Sequence, residues 1–274
     1  MTTARPPGWR SRVPHSVSVA SGYVRTSVQN ELQYRSNFFL QIAQSMFQIV
    51  TGVVVVALVF RQTSELNGWT RAELLAAIGV FTVISGVVRT FVQPCVEQLM
   101  YGIEEGEFDF VLTRPADSQL LVSVRAVNVW QLADVLVGFG IVVVALPDLP
   151  AGLGLGDVVA FVALLVVGVV IAYCMWFAVA TMAFRVIKLP AVDNLFYFVG
   201  RSAQYPIGIY PTWFRLALTA VVPLGIAVTA PAEAVTSRLS WGTLVAALTV
   251  MVVSIVLCRF LWQRGVRHYS SASS

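Results

Sequence analysis

Four carboxylates fall within residues 104–109: Glu104, Glu105, Glu107 and Asp109. Carboxylates at that density can ligate a hard cation or present charge to a protein partner. They are interleaved with Phe108, Val111 and Leu112, whose i, i+3, i+4 spacing makes an apolar stripe on a short helix. Pro115 ends that helix, because the residue before a proline disfavours α geometry. An apolar ridge with charged flanks suits docking into a groove on a partner. The plainer alternative is a solvated loop pinned to a membrane by Phe108 and Phe110.

Two other sets of polar residues sit in apolar surroundings. Asp134 lies near the middle of the apolar stretch 126–146. A carboxylate there is costly and is either a substrate or proton site, or the partner of another helix's amide, hydroxyl or arginine. Asn37, Gln41, Gln44 and Gln48 step by four, three and four along a further apolar stretch, forming one polar stripe. Such amides line a translocation path or bind neighbouring helices. Arg89, near a span end, is placed to snorkel.

Several chemistries are excluded. The single lysine, Lys188 in FRVIKLP, cannot belong to a phosphate-binding Gly-x-x-x-x-Gly-Lys-Ser/Thr loop. The two histidines, His15 and His268, lie near the ends, which argues against a histidine triad or a multi-histidine metal site. Cys95, Cys174 and Cys258 have neither metal spacing nor a disulfide pattern. No basic patch is interleaved with base-stacking aromatics, so the formal charge of +4 is no argument for nucleic acid.

The elements that must position these residues are membrane helices. The chain is 57% hydrophobic and 12% charged, against about 25% charged in an ordinary soluble domain. A bilayer core needs about 20 apolar residues per helix. Six stretches qualify or nearly do: 37–60, 74–92, 126–146, 158–184, the shorter 216–232 broken by Pro223, and 239–258. Long continuous runs fit helices rather than the short alternating strands of a barrel. The expected fold is therefore all-α, with six membrane spans. The loop 97–118, with seven charged groups, falls between the second and third spans and must lie outside the bilayer.

Placing both termini inside puts fifteen of the eighteen Lys and Arg residues in inner segments and three outside, as the positive-inside rule requires. Residues 1–22 read as a disordered tail, 23–36 as an amphipathic interfacial helix or a juxtamembrane linker, and 268–274 as a second cytoplasmic tail. The first apolar run is too long for a cleavable signal. Trp69, Trp213, Trp241 and Trp262 stand near span ends, where interfacial anchors sit. Pro206 and Pro211 forbid a continuous helix through 185–215, so a re-entrant or interfacial elbow is expected there.

Three segments together resemble the ABC-2 type permeases, in particular the subfamily described as ABC-2 family transporter proteins. They are LQYRSNFFL, IEEGEFDFVLTRP and AQYPIGIYPTWFRLALTAVVP, the last followed by the Pro231-Ala232 pair. In the second, Gly106, Asp109, Leu112, Arg114 and Pro115 fit the pattern Gly-x-x-Asp-x-x-Leu-x-Arg-Pro. The sequence departs from the family at Ser118-Gln119-Leu120, where a more aromatic continuation is expected. The resemblance covers residues 23–267. It implies a permease domain in a bacterial cytoplasmic membrane, paired with a second permease of the same or a related chain. A cytoplasmic ABC ATPase dimer would lie below and hold the ATP and Mg, this chain binding no cofactor itself. Residues Glu105, Gly106, Phe108, Asp109, Val111, Leu112, Arg114 and Pro115 would form the coupling helix, passing motion into the second and third spans. The cargo implied is a small or amphipathic compound moved outward. Two rival readings are a gradient-driven transporter or channel using Asp134, and a membrane scaffold without flux.

Overall fold

The computed structural model describes residues 35–62, 65, 68–113, 117–149, 154–184 and 223–269. Among these, regular structure is helical. In chain order the elements are α1 (Arg35–Val59), α2 (Arg71–Val87), a π-helical turn (Val88–Val92), α3 (Gln93–Glu104), α4 (Phe108–Leu112), α5 (Ser118–Ser123), α6 (Leu132–Ala145), α7 (Leu155–Ala180), α8 (Leu224–Val235) and α9 (Trp241–His268). Single 3-10 turns precede and follow α6 and close α7.

Among the described residues, four helical stretches are long and apolar enough to cross a membrane: Arg71–Glu104, Val129–Asp148, Leu155–Ala180 and Trp241–His268. The expected first span corresponds to α1, whose apolar part Ile42–Leu58 is shorter. The expected fifth corresponds in part to the 12-residue α8. The interfacial helix expected at 23–36 and the elbow at 185–215 lie outside the described residues, except for Arg35 and Ser36 in α1. Large apolar side chains stand exposed along α6 and α9, among them Leu136, Val144, Val252 and Val256. Exposure on this scale is what a lipid-facing surface requires, and a soluble monomer rarely shows it.

Helix starts follow local chemistry. Thr70 caps α2: its hydroxyl accepts from the Glu73 N–H, and the Glu73 carboxylate accepts from the Thr70 N–H at 2.8 Å. Ser240 caps α9 by accepting from the Thr243 N–H. These hydroxyls and carboxylates satisfy backbone donors that a helix start leaves open.

The 34-residue helix Arg71–Glu104 changes its hydrogen bonding where its sequence demands it. Pro94 has no N–H to give the carbonyl of Thr90, four residues back. The backbone widens into the π turn Val88–Val92 at this point. The freed Thr90 oxygen instead accepts the N–H of Asn128, from the segment leading into α6, at 2.9 Å. A helix defect thus becomes a joint between two spans.

The core lies among α2, α6, α7 and α8, with α9 packed on the outer side of α7. Backbones approach closely where side chains vanish. A Cβ at Gly79 would come within 2.7 Å of Val142, one at Gly86 within 2.9 Å of Val135, and one at Gly168 within 2.4 Å of the Ala227 carbonyl. Small residues at such contacts are how helices pack when lipid removes the hydrophobic drive between them.

Candidate functional site

Charged and aromatic residues gather at the end of the molecule where α3 stops. Glu105 caps α3 and Gly106 then takes φ +76°. That left-handed turn costs glycine nothing but strains any residue with a Cβ. The chain reverses there and α4 begins at Phe108. The part of the expected loop from 97 to 104 is therefore not loop; it is the last two turns of α3.

The apolar stripe of α4 divides between two environments. Phe108 is 1% exposed and faces into the protein. Its ring lies 5.2 Å from Phe184 at the end of α7, 6.3 Å from Trp262 on α9 and 5.2 Å from Tyr269 just past α9. The contacts with Trp262 and Tyr269 are edge-on, the geometry aromatic quadrupoles favour. Val111 is half-buried against the core. Leu112 is exposed, and Phe110 on the opposite side is 71% exposed. The expected docking ridge is thus corrected: Phe108 fills a socket of its own chain, and Phe110 and Leu112 face outward with Glu104, Glu105 and Glu107.

Asp109 also turns partly inward. Its carboxylate lies beside the Tyr269 hydroxyl; burial first, and then this charge, push the Tyr269 pKa up. Glu107 meets Arg125 at 3.5 Å. Arg114 and Pro115 lie outside the described residues. No group of three or more potential metal ligands converges among the described residues.

The chain then re-enters the protein through α5, and here the divergent Ser118-Gln119-Leu120 finds its use. Asp117 caps α5 by accepting from the N–H groups of Gln119 and Leu120. It also takes both guanidinium nitrogens of Arg259, on α9. The Arg259 hydrogen bond is the main reason that the Asp117 pKa falls below its ordinary value. Ser118 accepts from the Trp262 indole N–H at 3.2 Å. Gln119 accepts from Arg259 at 3.0 Å, and its amide donates to Tyr173 and to the Cys258 sulfur, each at 3.5 Å. Ser123 and Tyr173 share a 2.7 Å hydrogen bond. α5 is therefore bolted to α7 and α9 by side chains that an apolar pattern search passes over.

Trp262, expected as an interfacial anchor, is 2% exposed and forms one wall of the socket. Gly265, one turn on, makes room for it: a Cβ there would strike the Phe184 ring at 2.7 Å. Trp69 is buried as well, with Arg238 stacked 5.1 Å over its ring. Arg238 also donates to Glu73 at 2.8 Å, closing the opposite end of the molecule.

Asp134 is paired. It lies in the first turn of α6, near one end of the span Val129–Asp148 rather than its middle, because residues 124–128 are not helical. It is 4% exposed and Arg89 reaches it at 3.4 Å. Arg89, placed to snorkel by its position in the sequence, turns sideways to this carboxylate from the π turn. The positive end of the α6 dipole adds to the stabilisation. An arginine is among the partners expected for this carboxylate. Of the amide stripe, all four positions lie on α1. The Gln44 side chain is exposed, and those of Asn37, Gln41 and Gln48 lie outside the described residues.

The model of one protein family, described as ABC-2 family transporter protein, matches residues 46–273. No curated protein and no solved structure matches.

Proposed function

The chain belongs to the ABC-2 family of transporter proteins, and on that footing we propose that it is the permease subunit of an ATP-driven exporter. Family membership makes it a membrane transport component that works with an ABC ATPase. In the fuller reading, two permease subunits, of this chain or of this chain and a relative, enclose the path. A separate ATPase dimer sits on the cytoplasmic side and holds the ATP and Mg. Residues 105–115 contact it, and its closure on ATP switches the access of the path, moving a small or amphipathic compound outward. Such a switch needs contacts that differ between two states.

The observation that carries this reading is the two-sidedness of α4. On α4, Phe110 and Leu112 face outward, with Glu104, Glu105 and Glu107 exposed just before it, while Phe108 is locked inward. A surface element that is both presented and firmly rooted can receive force from a partner and pass it on. Extraction of the tagged chain from its native membrane in mild detergent tests the proposal. A stoichiometric ATPase in the eluate supports it. An intact complex that transports without any ATPase refutes it.

A further inference from the structure

Granted the exporter reading above, on which this rests, we infer that the stroke of the ATPase enters the membrane through α9 and the end of α7. Phe108 is the positioning residue that delivers it. Along the backbone, α4 is set apart from α3 and, beyond α5, from α6. Gly106 separates it from α3 by a left-handed turn. Downstream, α5 is cut off from α6 by the non-helical residues 124–128. A displacement of α4 would be absorbed at both joints. The helix Arg71–Glu104 packs on α5 and the end of α7 through α3, and it hydrogen-bonds to the segment before α6, from Asn128 to Thr90 and between the Cys95 thiol and Ala126.

Side-chain packing joins α4 differently. Phe108 is enclosed by Phe184, Trp262 and Tyr269. Those three also pack on one another, with Phe184 at 5.7 Å from Trp262 and 5.9 Å from Tyr269. Phe177 of α7 closes on Trp262 from the membrane side at 5.9 Å. Close-packed rings transmit displacement because interiors compress little. α5 adds a polar clamp to the same two helices: Asp117 and Gln119 to Arg259, Ser118 to Trp262, Ser123 to Tyr173. α4, α5 and the neighbouring ends of α7 and α9 thus form one block. Motion of α4 is passed to that block through packed rings and the polar clamp.

Hydrogen exchange on the complex of the full chain with its ATPase, in lipid nanodiscs, tests this. The comparison is between nucleotide-free complex and complex trapped with ATP, Mg and vanadate. In the native complex, trapping should change exchange in residues 258–268 and 173–184. In Phe108→Ala the change at 258–268 should be lost in whatever complex forms; Phe108→Met should restore it. Tyr269→Leu, which removes one wall without emptying the socket, should weaken the change if Phe108→Ala does not fold. Phe110→Ala should leave it intact in whatever complex forms. A native complex whose trapped state alters 71–104 but not 258–268 overturns the inference and leaves the exporter reading standing. So does a Phe108→Ala complex with an unchanged response. A folded chain that holds no ATPase overturns the exporter reading itself, and the inference with it.

Discussion

The indole of Trp262 meets Phe108 edge-on, ring planes at 81° and centroids 6.3 Å apart, and the same indole donates its N–H to Ser118. One residue of α9 therefore holds both short helices, α4 through a ring and α5 through a hydroxyl. The region that faces outward is built on this double attachment.

Phe108 and Phe110 should separate cleanly under mutation. Phe108→Ala empties a buried socket and should cost about 3–5 kcal/mol of stability, seen as a lower thermal midpoint in detergent. Phe110→Ala removes an exposed ring and should change stability by no more than about 0.5 kcal/mol. It should instead weaken ATPase association by about tenfold, as loss of a modest interface anchor does. Equal effects of the two substitutions on both readouts would contradict the two-sided description of α4.

Gly106→Ala places a Cβ on a backbone with φ +76°. The expected cost is about 1–2 kcal/mol, with Gly106→Asn cheaper because asparagine tolerates this conformation better. Limited proteolysis near residues 105–107 is a sensitive readout: the alanine variant should be cut faster than the native chain, and the asparagine variant in between.

Much of this was legible from residue order, and the reasons for the rest are specific. Composition and long apolar runs point to membrane helices, and the family resemblance is matched by the family found over residues 46–273. The apolar spacing of Phe108, Val111 and Leu112 correctly marks a short helix but cannot say which side is covered. In a membrane protein both partner and core are apolar, so periodicity alone does not distinguish them. The π turn has a sequence signal in Pro94: a proline within a long apolar helix strands the carbonyl four residues back. Hydropathy centres Asp134 in its span because the non-helical 124–128 carries no proline or glycine to mark where the helix begins. The clamp through Ser118, Gln119 and Ser123 is invisible to hydropathy, since its partners lie fifty or more residues away, on α9 for Ser118 and Gln119 and on α7 for Ser123.

Asp134 should behave as half of an ion pair. Asp134→Asn leaves Arg89 in apolar surroundings without its carboxylate and should cost about 1–3 kcal/mol. Asp134→Asn combined with Arg89→Gln should recover part of that loss, because both charges leave together. A double-mutant cycle on thermal stability measures the coupling. Additive costs would show that the 3.4 Å pair contributes nothing.

The Asp117–Arg259 clamp sets a pH dependence. The Asp117 pKa is lower in the folded chain, chiefly through its hydrogen bond to Arg259. Its contribution is therefore fully present above the unfolded value of about 4 and is lost as pH falls through the folded value. The clamp should loosen on acidification below about pH 4, and Asp117→Asn should remove that part of the acid sensitivity. Loosening that sets in above pH 6, or that survives in Asp117→Asn, would assign it to another group.

The most direct test of the central claim is site-specific photocrosslinking in native membranes. A photoreactive amino acid replaces Phe110, on the outward face of α4, or Leu155, 88% exposed at the start of α7 and at the opposite end of the molecule. The exporter account predicts that position 110 captures an ABC ATPase subunit and that position 155 does not. Capture of the ATPase at 155 and not at 110, or at neither position in an actively transporting complex, would contradict it.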